Sequence, residues 1–86
     1  MSEADIKKIL ADGKAVIGTD ETLKGLRKNG IKRIFVTKNA PEMVKNDLAH
    51  YSKLAGVSLS DLDLTNEELG VLCKKNYAIA VISEKR

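Results

Sequence analysis

The residue types and spacings that could do chemistry begin at Gly18, Thr19, Asp20, Glu21 and Lys24, continue through Arg27 and Lys28, and resume at Lys38 and Asn39. Gly18 follows a short apolar run, and Thr19-Asp20-Glu21 reads as a helix start. That order aims free backbone N–H groups and the positive end of a helix dipole at whatever docks there, which suits phosphate or the electron-rich edge of a base. Taken alone, the same residues have a structural reading: Gly18 closes a tight turn and Thr19 or Asp20 caps the helix. Charge favours a ligand. Between positions 22 and 41 there are six Lys or Arg, at 24, 27, 28, 32, 33 and 38, and no Asp or Glu. The run predicts a positive field on one side of the domain and a polyanionic partner. An opposing group, Asp61, Asp63, Glu67 and Glu68, lies between 54 and 73 with no base among them. It offers an alternative function, a protein-binding or regulatory surface.

Catalysis finds no such grouping. Cys73 falls four residues after Leu69, on a buried helical stripe, and His50 is the only histidine, with no spaced Cys, His or carboxylate set beside it. No candidate acid, base or nucleophile pair falls on neighbouring predicted loops, so the expectation is no enzyme, no metal and no cofactor. A single cysteine excludes an internal disulfide and fits a reducing compartment. No apolar run is long enough to cross a bilayer, and Met1-Ser2-Glu3-Ala4-Asp5 lacks the regions of a signal peptide, so a cytoplasmic protein is expected.

The elements that must hold these residues can be read from periodicity. At 86 residues, 43% hydrophobic and 31% charged, the chain predicts one globular domain over 1–86, and 3% aromatics leave its core to Ile, Leu, Val and Ala. Ser2 caps a helix over 3–12, whose Ile6, Ile9 and Leu10 form one stripe. An apolar strand at 14–17 feeds a second helix through Lys28, burying Leu23 and Leu26 and ending at Asn29-Gly30. Residues 31–37 read as a central strand. Pro41 opens a third helix that runs to Ala55, with Val44, Leu48, Tyr51 and Ala55 inward and Gly56 as its stop. Residues 57–62 read as an edge strand. Thr65 and Glu68 form a capping box for a short fourth helix carrying Leu69, Leu72 and Cys73 inward, and Gly70 within it needs a packing or close-approach reason. The apolar tract 77–82 reads as a strand covered on both faces. The order αβαβαβαβ predicts an α/β fold, a three-layer α/β/α sandwich with a four-stranded mixed sheet. Residues 18–21, 38–41 and 74–77 are then expected to share one loop rim.

In register, the pieces Ile17-Gly18-Thr19-Asp20-Glu21-Thr22-Leu23-Lys24, Asn39-Ala40-Pro41, Ala49-His50-Tyr51-Ser52-Lys53-Leu54-Ala55-Gly56-Val57, Asn66-Glu67-Glu68-Leu69-Gly70 and the apolar tract 77–82 resemble a known family. It is the kink-turn RNA-binding family of archaeal and eukaryotic large-subunit ribosomal proteins, and the chain is most similar to its L-thirty-e branch, with L-seven-Ae as sister. The resemblance implies binding to an RNA internal loop with tandem sheared G·A pairs and a sharp backbone bend. It implies RNA contact by Gly18, Glu21 and Lys24 on the second helix, by Asn39, by Leu69, Gly70 and Val71 around an extruded base, and by Tyr77. Asp20 stands where the sister branch has asparagine; ionised, it can accept from a guanine amino group but repels phosphate. The partners implied are ribosomal or other kink-turn RNA and neighbouring ribonucleoprotein subunits, with no membrane, for a protein that is monomeric when free and ribosome-associated in the cell. Neutralising four to six phosphates would give a log affinity against log salt slope of roughly −3 to −5.

Overall fold

In the computed structural model, which describes residues 3–86, eight elements alternate. They are α1 (Glu3–Ala11), β1 (Ala15–Ile17), α2 (Thr19–Arg27), β2 (Ile31–Val36), α3 (Glu42–Ala55), β3 (Ser58–Asp61), α4 (Asn66–Leu72) and β4 (Val81–Lys85). The expected Ser2 cap of α1 lies outside the described residues. The sheet order is β1-β4-β2-β3, with β4 antiparallel to β1 and β2 and with β2 parallel to β3. This topology gathers the C-terminal ends of β1, β2 and β3 and the N-terminal end of β4 at one end of the sheet. As expected, β2 is central and β3 is an edge.

Side chains alternate across a strand, so each sheet face receives its own core. Ile34 and Val36 of β2 and Val81 of β4 pack with Leu26 of α2 and Leu48 of α3. Phe35 and Ile82, one residue out of phase, pack with Ile6 and Ile9 of α1, with Leu69 of α4 and with Cys73 just after it. Two helices on each face make the three-layer α/β/α sandwich. Among the described residues no helix is long and apolar enough to cross a membrane.

Four expectations are corrected. The last strand is Val81–Lys85, not 77–82. Its polar residues are tolerated inside because each has a partner: Ser83 Oγ lies 2.9 Å from Thr22 Oγ1, and Glu84 Oε1 accepts from Arg33 Nε at 2.7 Å. The apolar tract ahead of it crosses the sheet end instead of pairing in it. On α3, Tyr51 is exposed and Ser52 takes the buried position, its hydroxyl donating to the Ala49 carbonyl at 3.1 Å. Two helix starts also differ: Gly18 precedes α2 in place of a Thr19 or Asp20 cap, and Pro41 stands one residue before α3. Asn29, with φ 56°, makes the left-handed turn after α2, so the expected stop operates through Asn29.

Candidate nucleic-acid interface

Gly18 leaves β1 with φ 104°, a backbone conformation that side chains disfavour. Its N–H donates to the Val81 carbonyl at 3.0 Å and its own carbonyl accepts from Thr22 N–H at 3.2 Å. Helix α2 is thereby launched from the sheet end at a fixed angle. Among the described residues no side chain caps it, so its first turn presents backbone N–H donors beside Asp20 and Glu21. The start of α4 is the opposite case. Thr65 Oγ1 accepts from Glu68 N–H at 3.2 Å, Glu68 Oε1 accepts from Thr65 N–H at 2.9 Å, and Asn39 Oδ1 accepts from Asn66 N–H at 2.8 Å. Those donors are already used, whereas, among the described residues, the first turns of α2 and α3 carry no side-chain cap.

The loop after β2 is tied to the same end. Thr37 N–H donates to the Ala80 carbonyl at 2.9 Å, Lys38 N–H to the Leu64 carbonyl at 3.0 Å, and Ile79 N–H to the Asn66 carbonyl at 2.9 Å. Asn39 Nδ2 in turn donates to Asn66 Oδ1 at 2.9 Å. Through Val81, Ala80, Ile79 and Asn66, the backbone at Gly18 and the side chain of Asn39 belong to one hydrogen-bonded rim. Tyr77, two residues before Ile79, is held against α4, where a Cβ on Gly70 would collide with the Tyr77 carbonyl oxygen. That contact is the reason for glycine inside α4. Val71 and Tyr77, exposed by 75% and 55%, line a shallow depression with Glu67 and Lys75. Leu69 is fully buried against α1, so its side chain serves the core and Val71 carries the apolar surface.

The basic residues do not converge as their continuous run in the sequence suggests. Lys24 and Arg27 line a groove along α2 with Asp20, Glu21 and Leu23, and Lys38 sits on the rim loop. Arg27 ends the nine-residue α2 and Lys28 is its C-cap, roughly 12 and 14 Å from the helix start at about 1.5 Å per residue. Arg33 is held internally by Glu84, with its guanidinium 5.4 Å from the Phe35 ring centroid. Lys24 Nζ is 3.7 Å from Glu21 Oε1, and Lys38 Nζ is 3.7 Å from Asp63 Oδ1. The basic residues nearest the rim are Lys24 and Lys38, with Arg27 farther along the α2 groove. The acidic group is also partly committed, Asp63 to Lys38 and Glu68 to its cap. The backbone N–H of Thr65, and then its hydroxyl, hold the Glu68 carboxyl below its ordinary range.

Asn66 is the rim residue that sequence reasoning passed over as a site. Its only signal is its place directly after a capping threonine, which reads as helix structure. Burial pushes the Cys73 thiol up, against a nucleophilic role. Among the described residues no group of His, Cys, Asp or Glu is placed to hold a metal ion.

A mixed sheet between helix pairs, with a polar rim at one end and shallow depressions beside it, defines a small α/β/α domain suited to docking a macromolecule. The chain belongs to the Ribosomal protein L7Ae/L30e/S12e/Gadd45 family, whose profile matches residues 2–86. It is 31% identical over 80 residues to the large ribosomal subunit protein eL30 of Sulfolobus acidocaldarius, covering 93% of this chain and 77% of that one. It is 34% identical over 71 residues to eL30 of Pyrobaculum calidifontis, covering 83% and 70%. A Giardia lamblia 15.5kD RNA binding protein superposes with a TM-score of 0.83 at 18% identity, over 94% of this chain and 68% of that one. A Bacillus halodurans protein of unknown function superposes with a TM-score of 0.81 at 14% identity, over 91% and 77%. These superpositions show the shared fold. The eL30 relatives are named as large ribosomal subunit proteins.

Proposed function

We propose that the chain is an RNA-binding component of the large ribosomal subunit that docks a kink-turn or similarly bent internal loop on the rim from Gly18 to Tyr77. Family membership and the eL30 relatives support the ribosomal setting. The observation that carries the RNA surface is the open α2 terminus bound into one rim with Asn39 and residues 77–80. A splayed, bent RNA exposes base edges and phosphates that short polar groups and backbone N–H donors can reach, where an inserted helix cannot. In this reading the first-turn N–H groups of α2 and Lys24 meet phosphate, and Asp20 and Glu21 accept from guanine N–H groups. Val71 and Tyr77 offer apolar surface to an unstacked base. The protein acts as a monomer when free and meets neighbouring subunits only within the ribonucleoprotein particle in the cytoplasm.

The test is competition between a kink-turn RNA and a straight duplex of equal length, titrated with salt. With Lys24 and Lys38 nearest the rim and Arg27 farther along the α2 groove, the slope of log affinity against log salt is expected at roughly −2 to −3, shallower than the sequence alone implied. The bent RNA is expected to win by on the order of a thousandfold, the usual scale of specific over non-specific binding. Equal binding of the two RNAs contradicts the proposal.

A further inference from the structure

The Asn39–Asn66 pair has a fixed polarity. A carboxamide's oxygen and nitrogen are alike in shape, but the backbone N–H of Asn66 can only donate, so the Asn39 atom 2.8 Å from it is Oδ1. Nδ2 of Asn39 then faces the Asn66 side chain at 2.9 Å, where its partner is Oδ1. One backbone donor thus sets the orientation of both amides. The backbone of Asn66 is itself held, since its carbonyl accepts from Ile79 N–H at 2.9 Å. The exposed Asn39 keeps one lone pair on Oδ1 and one N–H on Nδ2 unused.

We propose that Asn66 is a positioning residue, locking the Asn39 carboxamide so that its remaining Nδ2 N–H is presented as a fixed donor to an acceptor on the RNA. This rests on the RNA-binding reading above. Asn66 acts through Asn39, by removing side-chain freedom that would otherwise be lost on binding.

A double-mutant cycle on a kink-turn RNA tests it. Asn39→Ala and Asn66→Ala are each expected to weaken binding roughly two- to tenfold, the scale of a lost hydrogen bond. The double variant is expected to bind no more weakly than Asn39→Ala alone. In ¹⁵N spectra of the free protein, the Asn39 side-chain amide protons are expected to be displaced from free-amide positions in the wild type and in Asn66→Asp, which keeps the acceptor, and to return toward those positions in Asn66→Ala. Should Asn66→Ala not fold, Asn66→Ser, which suits a helix start but is too short to reach Asn39, replaces it in the cycle. Losses that multiply in the double variant, or an Asn66→Ala protein that binds like the wild type, overturn the inference. If the wild type prefers the bent RNA but Asn39→Ala binds equally well, this inference falls and the RNA reading stands. If the wild type shows no preference for the bent RNA, both fall.

Discussion

Glu68 shows how a single carboxylate links sequence, capping and pH. As an anion it accepts the Thr65 N–H at 2.9 Å, so its carboxyl is held below the ordinary range in the folded chain. Between its folded and unfolded values the unfolded chain binds more protons, and stability rises with pH. The contribution is present above the unfolded value and is lost as pH falls through the folded one. Glu68→Gln keeps an acceptor at this position but does not titrate. Urea denaturation should therefore find the gap between wild type and Glu68→Gln largest near neutral pH and shrinking in acid; a gap independent of pH would contradict the assignment. Lys24 and Glu21 separate in another way. Their 3.7 Å pair is 64% and 62% exposed, so Lys24→Ala should change unfolding free energy by less than about 0.5 kcal/mol. On RNA, Lys24→Ala should flatten the salt slope by about one, whereas Glu21→Ala should cost on the order of 1–3 kcal/mol with the slope unchanged. Equal slopes for the two variants in filter-binding titrations would count against the separate roles.

Among the elements, α4 and the chain after it are coupled by one glycine. Alanine at position 70 would gain about 1 kcal/mol in helix propensity. Its Cβ would also press on the Tyr77 backbone, which cannot rotate away as a side chain can. Gly70→Ala is expected to lose about 1–3 kcal/mol net, as overpacked positions do, read as a lower urea midpoint. A variant as stable as the wild type would show that the 77–80 segment yields freely. The capping box and this glycine were legible because their signals are local: Thr65 and Glu68 at the right spacing, and a glycine where helices avoid one. The last strand was not. An apolar tract at 77–80 looks like a strand interior, while Ser83 and Glu84 look like surface, and only the partners Thr22 and Arg33, 61 and 51 residues away, reverse that reading. Tyr51 and Ser52 exchanged places for the same reason, since helical periodicity marks a stripe but not where the neighbouring layer ends.

For the whole molecule, the topology decides which charges act together. Helix α2 runs from one end of the sheet to the other, so it carries Lys24 and Arg27 along a groove and delivers Lys28 to the far end. Arg33 is consumed by Glu84 inside the α1/α4 face. Fold class, element order and the shared rim of Gly18, Asn39 and Tyr77 could be read in advance, because alternating elements with short connections bring strand ends together. The dispersal of the basic residues could not, because pairing across strands is invisible to a count along the chain. The proposed RNA-binding role depends on where RNA touches this protein. Backbone amide shifts in ¹⁵N spectra on titration with a kink-turn RNA test that most directly. The predicted result is perturbation concentrated at residues 18–24, 37–39, 70–71 and 77–80. Perturbation centred instead on the outer α2/α3 seam around Leu26, Tyr51 and Leu54, with the rim silent, would contradict it.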